Sequence, residues 1–171
     1  MKSLLQLICV LVLGAASLAA GEPPKKNWTA PAYKIYGQQL CDEIMAAHPE
    51  LISVTLHGVP PGLDKVYTMF AGSFPERIGN PDDPDDVMVI ELGITIVDPR
   101  WHRTKDTVKK FVMMLPLRDA AGENCGLLVL AYKNDGANAK GDRVFYTMSG
   151  DLRDALQKKI PTYAGLYARV K

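Results

Sequence analysis

The densest cluster of chemically capable side chains is a group of four aspartates, Asp82, Asp83, Asp85 and Asp86. Hard cations such as Ca²⁺ bind several carboxylate oxygens, but the spacing of these four does not match a calcium loop. Asp83 directly precedes Pro84, and a capping aspartate followed by proline and further acids is typical of the start of a helix. We therefore interpret the cluster as a helix start, with a metal site as the alternative.

The three histidines are His48, His57 and His102, and none of them pairs at helical spacing or lies in a Cys/His cluster. A zinc site is therefore not indicated. His57 shares one face of a strand-like run with Ser53 and Thr55, because side chains alternate along a strand. We interpret His57 as a half-exposed strand residue, with a haem ligand or a proton-linked group as the alternative.

Catalytic motifs are missing from the sequence, which has neither a G-x-S-x-G elbow nor a glycine-rich phosphate loop. Cys125 precedes an apolar run, a position that favours an inert thiol over a reactive one. We therefore predict that the protein is not an enzyme and has no cofactor. A haem- or redox-linked protein that uses His57, His102 or the cysteines Cys41 and Cys125 is one alternative.

The elements that must position these groups centre on residues 108–133. Two apolar runs, residues 111–117 and 126–132, flank a polar loop that contains Gly122. Such a pattern is typical of an antiparallel hairpin, and Pro116 argues against a helix over the first run. Because both runs are almost continuously apolar, we expect two central strands that are covered on both faces.

The other elements follow from local signals. A second hairpin joins residues 51–59 to residues 66–71 through Pro60-Pro61-Gly62. One helix begins at Pro31 after a Thr29 cap and ends at His48. The remaining predictions are a helix from Asp83 to Gly93, a short strand at residues 94–97, a polar loop or edge strand at residues 98–107 and an amphipathic helix over residues 143–160.

The N-terminus has a basic residue, an apolar run over residues 4–16 and small residues before Gly21. These features indicate a secretory signal peptide over residues 1–20, with an uncleaved anchor as the alternative. Residues 21–30 should be a flexible leader and residues 31–171 a single domain. We expect an exported protein, periplasmic or secreted, in which Cys41 and Cys125 either form a disulfide or are separate small hydrophobic residues.

Charge and hydropathy exclude two classes of partner. The chain has 20 basic and 19 acidic residues, and no basic stripe, so nucleic acid is not expected. After the signal no further long apolar run occurs, so we expect no stable membrane anchor.

The order helix, hairpin, helix, strand, hairpin, helix predicts an α+β fold: a five-stranded antiparallel sheet with N-terminal, crossing and C-terminal helices. Together with His48-Pro49-Glu50, Arg77-Ile78-Gly79 and Asp119-Ala120-Ala121-Gly122, this order resembles Cache domains, the extracytoplasmic PAS-like sensors. The Arg-x-Trp pattern of their amino-acid-binding members is absent, because Arg100 and Trp101 are adjacent.

The resemblance implies a ligand pocket between the sheet and the crossing segment, residues 72–93. Polar side chains that could orient a ligand there are Tyr67, Arg77, Asp86, Trp101, His102, Arg118 and Tyr132. The guanidinium groups of Arg77 and Arg118 would suit a carboxylate, although solvated arginines and packed strand tyrosines are the simpler interpretation of these residues. We therefore expect a sensor-like domain without an attached transducer that binds a small anionic metabolite and signals to a separate partner protein. The alternatives are a structural or interaction protein of the same fold and the haem- or redox-linked protein.

Overall fold

The computed structural model describes residues 24–98 and 108–171. In this part of the chain, one antiparallel sheet has five strands in the order β2-β1-β5-β4-β3. The strands are β1 (Leu51–Gly58), β2 (Thr68–Gly72), β3 (Ile96–Val97), β4 (Lys110–Arg118) and β5 (Asn124–Lys133), and the helices are α1 (Tyr36–Ala47), α2 (Pro84–Leu92) and α3 (Asp142–Gln157). The predicted α+β fold, a five-stranded antiparallel sheet that contains both hairpins, is confirmed.

The hairpin of β4 and β5 is the centre of the sheet, as the sequence predicts. The two strands pair along their whole length, from Lys110 opposite Lys133 to Arg118 opposite Asn124. In the connecting loop, Gly122 has a φ of 86°, a conformation that glycine adopts without the steric cost of a side chain. Nearly every side chain of both strands is buried, because helices cover both faces of the pair.

The two faces of the sheet carry different helices. Helices α1 and α3 cover one face, where Leu40, Ile44, Leu152 and Leu156 join the larger core. Helix α2 crosses the other face and buries Val89 in a smaller cluster of side chains from β4 and β5, namely Val112, Met114, Leu127 and Ala131. The sheet therefore separates two apolar layers.

Helix α2 begins and ends where its sequence signals place it. Asp83 is the N-cap, and a reciprocal pair of hydrogen bonds joins the side chains and backbone amides of Asp83 and Asp86. Such a capping box satisfies two amides that the first helical turn leaves without partners. The C-cap is Gly93, so the predicted helix is confirmed at both ends.

Helix α1 starts later than predicted, because the segment before it pairs with the C-terminal end of the chain. Ile35 forms an antiparallel bridge with Arg169, and Val170 N donates to Lys34 O at 3.0 Å. These contacts keep residues 31–35 out of the helix, so the predicted start at Pro31 is wrong. Helix α3 ends at Gln157, before the predicted Ile160.

The leader is attached to the domain at two of its residues. The amides of Asn27 and Trp28 both donate to Gly79 O, at 2.9 and 3.3 Å, and the Trp28 ring lies edge-on to Tyr167 with centroids 6.1 Å apart. Gly79 has a φ of 88°, and a Cβ there would lie 2.1 Å from Trp28 O. In the described part of the predicted leader, residues 24–30, these contacts hold Asn27 and Trp28 against the domain. The predicted signal peptide and most of residues 98–107 lie outside the described residues.

The outer edge of β2 is occupied by residues 79–81. Met69 N donates to Asn80 O at 3.2 Å, Gly79 N donates to Met69 O at 2.8 Å, and Thr68 forms a bridge with Pro81.

Within the described residues, none of the helices has the length and apolar character needed to cross a bilayer.

Candidate functional site

A buried polar cluster lies on the α2 side of the sheet, around His57. Nδ1 of His57 is 2.7 Å from Asp82 Oδ1, and Nε2 is 2.7 Å from Thr55 Oγ1. The His57 side chain is 8% exposed and the Asp82 side chain 1%. The imidazole therefore has a polar partner on each ring nitrogen, and both its orientation and its position are fixed.

Three separate segments bring the cluster together. His57 belongs to β1, while Asp82 follows residues 79–81 and is held by a hydrogen bond from its amide to Tyr67 O at 3.2 Å. Asp86 lies in the first turn of α2 and accepts a hydrogen bond from Asp83 N at 3.1 Å. One ligand atom of each of His57, Asp82 and Asp86 lies within 4.8 Å of the other two. These groups could hold a metal ion.

Asp82 has one oxygen without a partner. Its Oδ1 contacts His57, but Oδ2 is buried and has no hydrogen-bond partner among the described residues. Buried polar atoms are almost always hydrogen-bonded, and one that is left unsatisfied costs about 1–3 kcal/mol. The cluster therefore presents an unused acceptor in its interior.

The charges in the cluster shift the pKa values of its members. Burial alone lowers the pKa of His57, but the hydrogen bond and charge of Asp82, together with the charge of Asp86, outweigh burial and raise it. Burial raises the pKa of Asp86, and the neighbouring His57 only partly offsets this effect. The arrangement favours a protonated imidazole beside carboxylates.

On the opposite side of the sheet, a cleft of about 400 Å³ lies between α1 and α3. Its wall is mostly apolar and is formed by residues that include Leu40, Ile44, Ala47, Leu152, Ala155 and Leu156. A concave, largely apolar wall with a few polar groups is the usual form of a small-molecule site.

The polar groups around this cleft are mainly acidic. Glu43 and Lys159 form an ion pair at 3.0 Å, and His48 Nδ1 lies 3.0 Å from Glu50 Oε1. Asp151 adds a further carboxylate to the lining. Because three carboxylates and only one lysine line the cleft, it offers more negative than positive charge to a ligand.

Of the residues predicted to orient a ligand, Tyr67 and Asp86 lie on the α2 side. The Tyr67 hydroxyl donates to the carboxylate of Glu91, which ties the residue to α2. Asp86 belongs to the polar cluster. Arg77 lies in a short 3-10 turn, with its guanidinium carbon 5.4 Å from the centre of the Phe74 ring. Its charge lowers the pKa of His57.

The other predicted residues lie elsewhere. Arg118 donates to Gly122 O at 3.0 Å in the central hairpin loop. Tyr132 lies on the opposite face of the sheet, where it lines the cleft and its hydroxyl accepts a hydrogen bond from Ser149 Oγ at 3.0 Å. Trp101 and His102 lie outside the described residues. The five predicted residues that the structure describes therefore do not form one site.

Cys41 and Cys125 are free and buried, so the possible disulfide between them is not formed in this structure. Cys41 lies on α1, which packs against β1 and β2, whereas Cys125 lies at the hairpin end of β5. Both side chains belong to the larger core, as small hydrophobic residues. Burial raises the pKa of Cys125 to about 12.

Comparison with known proteins leaves the family open. No model of a known protein family matches the sequence, and no curated protein sequence matches it. Among solved structures, the chain is similar to the type II free methionine-R-sulfoxide reductase of Thermoplasma acidophilum, with 14% identity, a TM-score of 0.43 and coverage of 73% of this chain and 92% of that one.

Two further similar structures are also 14% identical. The first is the green-light-absorbing state of the red/green cyanobacteriochrome NpR6012g4, with a TM-score of 0.43 and coverage of 71% of this chain and 89% of that one. The second is the inducer-binding domain of the PobR transcription factor from Acinetobacter in complex with 3-hydroxybenzoic acid, with a TM-score of 0.38 and coverage of 72% and 97%. Similarities at this level do not assign a function.

Sequence reasoning missed the cluster as a unit, although it named its parts. His57 and Thr55 were placed on one strand face, and the aspartates were identified as a helix start or metal site. Asp82, 25 residues after His57, joins the two parts. The only sequence signal for Asp82 was its position just before the helix cap. The cleft has no local signal, because α1 and α3 are far apart in sequence.

Proposed function

We propose that the protein is an exported, PAS-like sensor domain of the Cache type that binds a small molecule in the cleft between α1 and α3. The observation that carries this proposal is the cleft itself, whose size of about 400 Å³ and apolar wall suit a small organic ligand. In this proposal, a partner protein receives the signal.

The chemistry of the lining favours a ligand with an apolar body and a positively charged group. The cleft is lined by three carboxylates, those of Glu43, Glu50 and Asp151, and by one lysine, Lys159. The sequence suggested an anionic metabolite on the basis of Arg77 and Arg118. Neither arginine is among the residues that line the cleft, so we favour an amine over an acid.

The proposal is tested by thermal unfolding of the purified protein with a library of small organic amines and acids. A ligand that binds only the folded state raises the melting temperature by mass action. We expect amines with apolar substituents to raise it and acids of the same shape to have no effect. The variant Ala155→Trp, which fills the cleft, should lose the response.

A matched control is Thr147→Trp, which places the same ring at an exposed position of α3 that is not among the residues lining the cleft. This variant should retain the response of the unaltered protein. A flat response across the library would contradict the proposal and favour a structural or interaction protein of the same fold.

The exported location rests on the charged start, apolar run and small residues at positions 1–20. Expression of the full chain, followed by N-terminal sequencing of the product, tests it. We expect the product to begin at or near Gly21 and to be found outside the cytoplasm. A cytoplasmic product that retains Met1 or Lys2 would contradict export.

A further inference from the structure

We propose that His57, Asp82 and Asp86 form a binding site for one first-row divalent cation, such as Zn²⁺. The three side chains come from β1, the segment before α2 and the first turn of α2. Their ligand atoms already lie within 4.8 Å of one another. This site is on the opposite face of the sheet from the proposed ligand cleft, so the two proposals are independent.

The unused oxygen of Asp82 points to a ligand more directly than the proximity of the acids does. The Asp82 side chain is 1% exposed, and its Oδ2 has no hydrogen-bond partner among the described residues. A buried carboxylate of this kind is normally paired or bound to a metal. A cation between Asp82 and Asp86 would satisfy Oδ2 and relieve the repulsion between the two carboxylates.

The donor set determines the class of ion. One imidazole nitrogen and two carboxylates suit first-row transition metals and Zn²⁺ better than Ca²⁺ or Mg²⁺, which prefer sites made only of oxygen. Three protein ligands leave a fourth position for water in the tetrahedral geometry of Zn²⁺. Nδ1 of His57 now lies 2.7 Å from Oδ1 of Asp82, and this contact must open for the ion to bind Nδ1 together with the unused Oδ2. Bonds of about 2 Å place such ligand atoms roughly 3.3 Å apart.

Thr55 supports the proposed coordination from behind the imidazole. Its hydroxyl is 2.7 Å from Nε2 of His57, and it can accept the proton on Nε2 and leave Nδ1 free to bind the ion. Metal-binding histidines commonly donate their other ring N–H to a polar partner, which fixes the ring and the tautomer. The amino end of α2 opposes a cation, and the two carboxylates offset that effect.

The site differs from a calcium loop made of the four neighbouring aspartates. Asp83 is committed to the capping box of α2, and only Asp82 and Asp86 belong to the cluster. The third ligand comes from β1, 25 residues before Asp82. An ion bound here would fasten α2 and the preceding segment to the sheet.

Calorimetric titration of the purified, chelator-treated protein with Zn²⁺ tests the proposal. We expect one ion per chain, with an affinity that falls about tenfold or more in His57→Gln and in Asp82→Asn. The matched control is Asp42→Asn on α1. It removes an exposed carboxylate that pairs with Lys34, just before that helix, and it should retain the affinity. Co²⁺ bound to the unaltered protein should show visible absorption that is lost in His57→Gln.

Two results would overturn the proposal. One is a lack of saturable binding by the folded, unaltered protein at millimolar Zn²⁺. The other is full affinity in both His57→Gln and Asp82→Asn, which would place the ion elsewhere. If either variant fails to fold by circular dichroism, nitrogen NMR of the unaltered protein decides: the proposal requires the Nδ1 signal of His57 to shift on addition of Zn²⁺, and an unchanged signal refutes it.

Discussion

The stability of the protein should fall as the pH rises above about 6.5, because the folded state favours the charged form of His57. Asp82 raises the pKa of this histidine despite its burial. A group with a raised folded-state pKa binds more protons in the folded than in the unfolded chain, so its contribution to stability is complete below the unfolded-state pKa. That contribution is lost as the pH rises through the folded-state pKa.

The size of the effect follows from one proton. The unfolded-state pKa is near the ordinary histidine value of about 6.5. Between that value and the folded-state pKa, the free energy of unfolding should decrease with a slope of at most about 1.4 kcal/mol per pH unit. The raised pKa of Asp86 also makes stability fall as the pH rises, but that fall begins near the ordinary carboxyl pKa of 3.8, at lower pH than the effect of His57.

Replacing Asp82 should reverse the sign of this pH dependence of stability. Burial is the largest single influence on His57 and it lowers the pKa. In Asp82→Asn, the hydrogen bond from Nδ1 can persist, but the carboxylate charge is lost. The folded-state pKa should then lie below the unfolded-state pKa, so stability should rise as the pH increases towards about 6.5. His57→Gln should show neither slope.

Urea unfolding between about pH 5 and pH 8.5 in the presence of a chelator measures these slopes, and the chelator removes any effect of a bound ion. The control His48→Gln should retain the slope of the unaltered protein, because it leaves the pair of His57 and Asp82 in place. The reasoning is refuted if stability is constant or increases with pH above 6.5 in the unaltered protein. It is also refuted if His57→Gln shows the same decrease.

Three further predictions concern the packing of the chain. Phe145→Ala should lower the free energy of unfolding in urea by about 3–5 kcal/mol, since the Phe145 ring is 1% exposed and is stacked on another buried phenylalanine. The control Val144→Ala, at an exposed site, should change stability by no more than about 0.5 kcal/mol. An equal effect of the two substitutions would contradict the packing. Gly79→Ala should lower the free energy of unfolding by more than about 2 kcal/mol. The alanine would have left-handed backbone strain of about 1–2 kcal/mol and its Cβ would clash with Trp28 O. Unchanged stability would mean that the leader is not attached there. Because the pKa of Cys125 is about 12, this thiol should react with alkylating reagents far more slowly in the native protein than in urea, and rapid native labelling would show that it is accessible.

Much of the fold was predictable because its signals are local. Pro116 and Gly122 indicated the central hairpin, and the sequence from Asp83 to Gly93 indicated both ends of α2. Local signals failed where a distant segment competes for the same backbone. Thr29 and Pro31 predict a helix start, but pairing between Ile35 and Arg169 keeps this segment extended, and no spacing along the chain reveals that contact.

The candidate sites were harder to predict because they are assembled across layers. Asp86 was correctly assigned to the first turn of α2, but that assignment explained its presence without indicating that it lies near His57. Tyr132 was placed on a buried strand, whereas the face on which it lies depends on the register of β5 and on which helices cover each face. Neither property can be obtained from the alternation of apolar residues in a strand that is buried on both sides.

The residues that occupy the outer edge of β2 have a consequence for self-association. An exposed edge strand offers free amides and carbonyls to another chain, which is a common route to fibrils and to domain-swapped dimers. Here Gly79 and Asn80 already use hydrogen-bonding groups of Met69, and Trp28 is attached to the same segment. A second molecule could therefore extend the sheet at β2 only after residues 79–81 and the leader had dissociated from that strand. Polymerisation through this edge thus requires prior local unfolding.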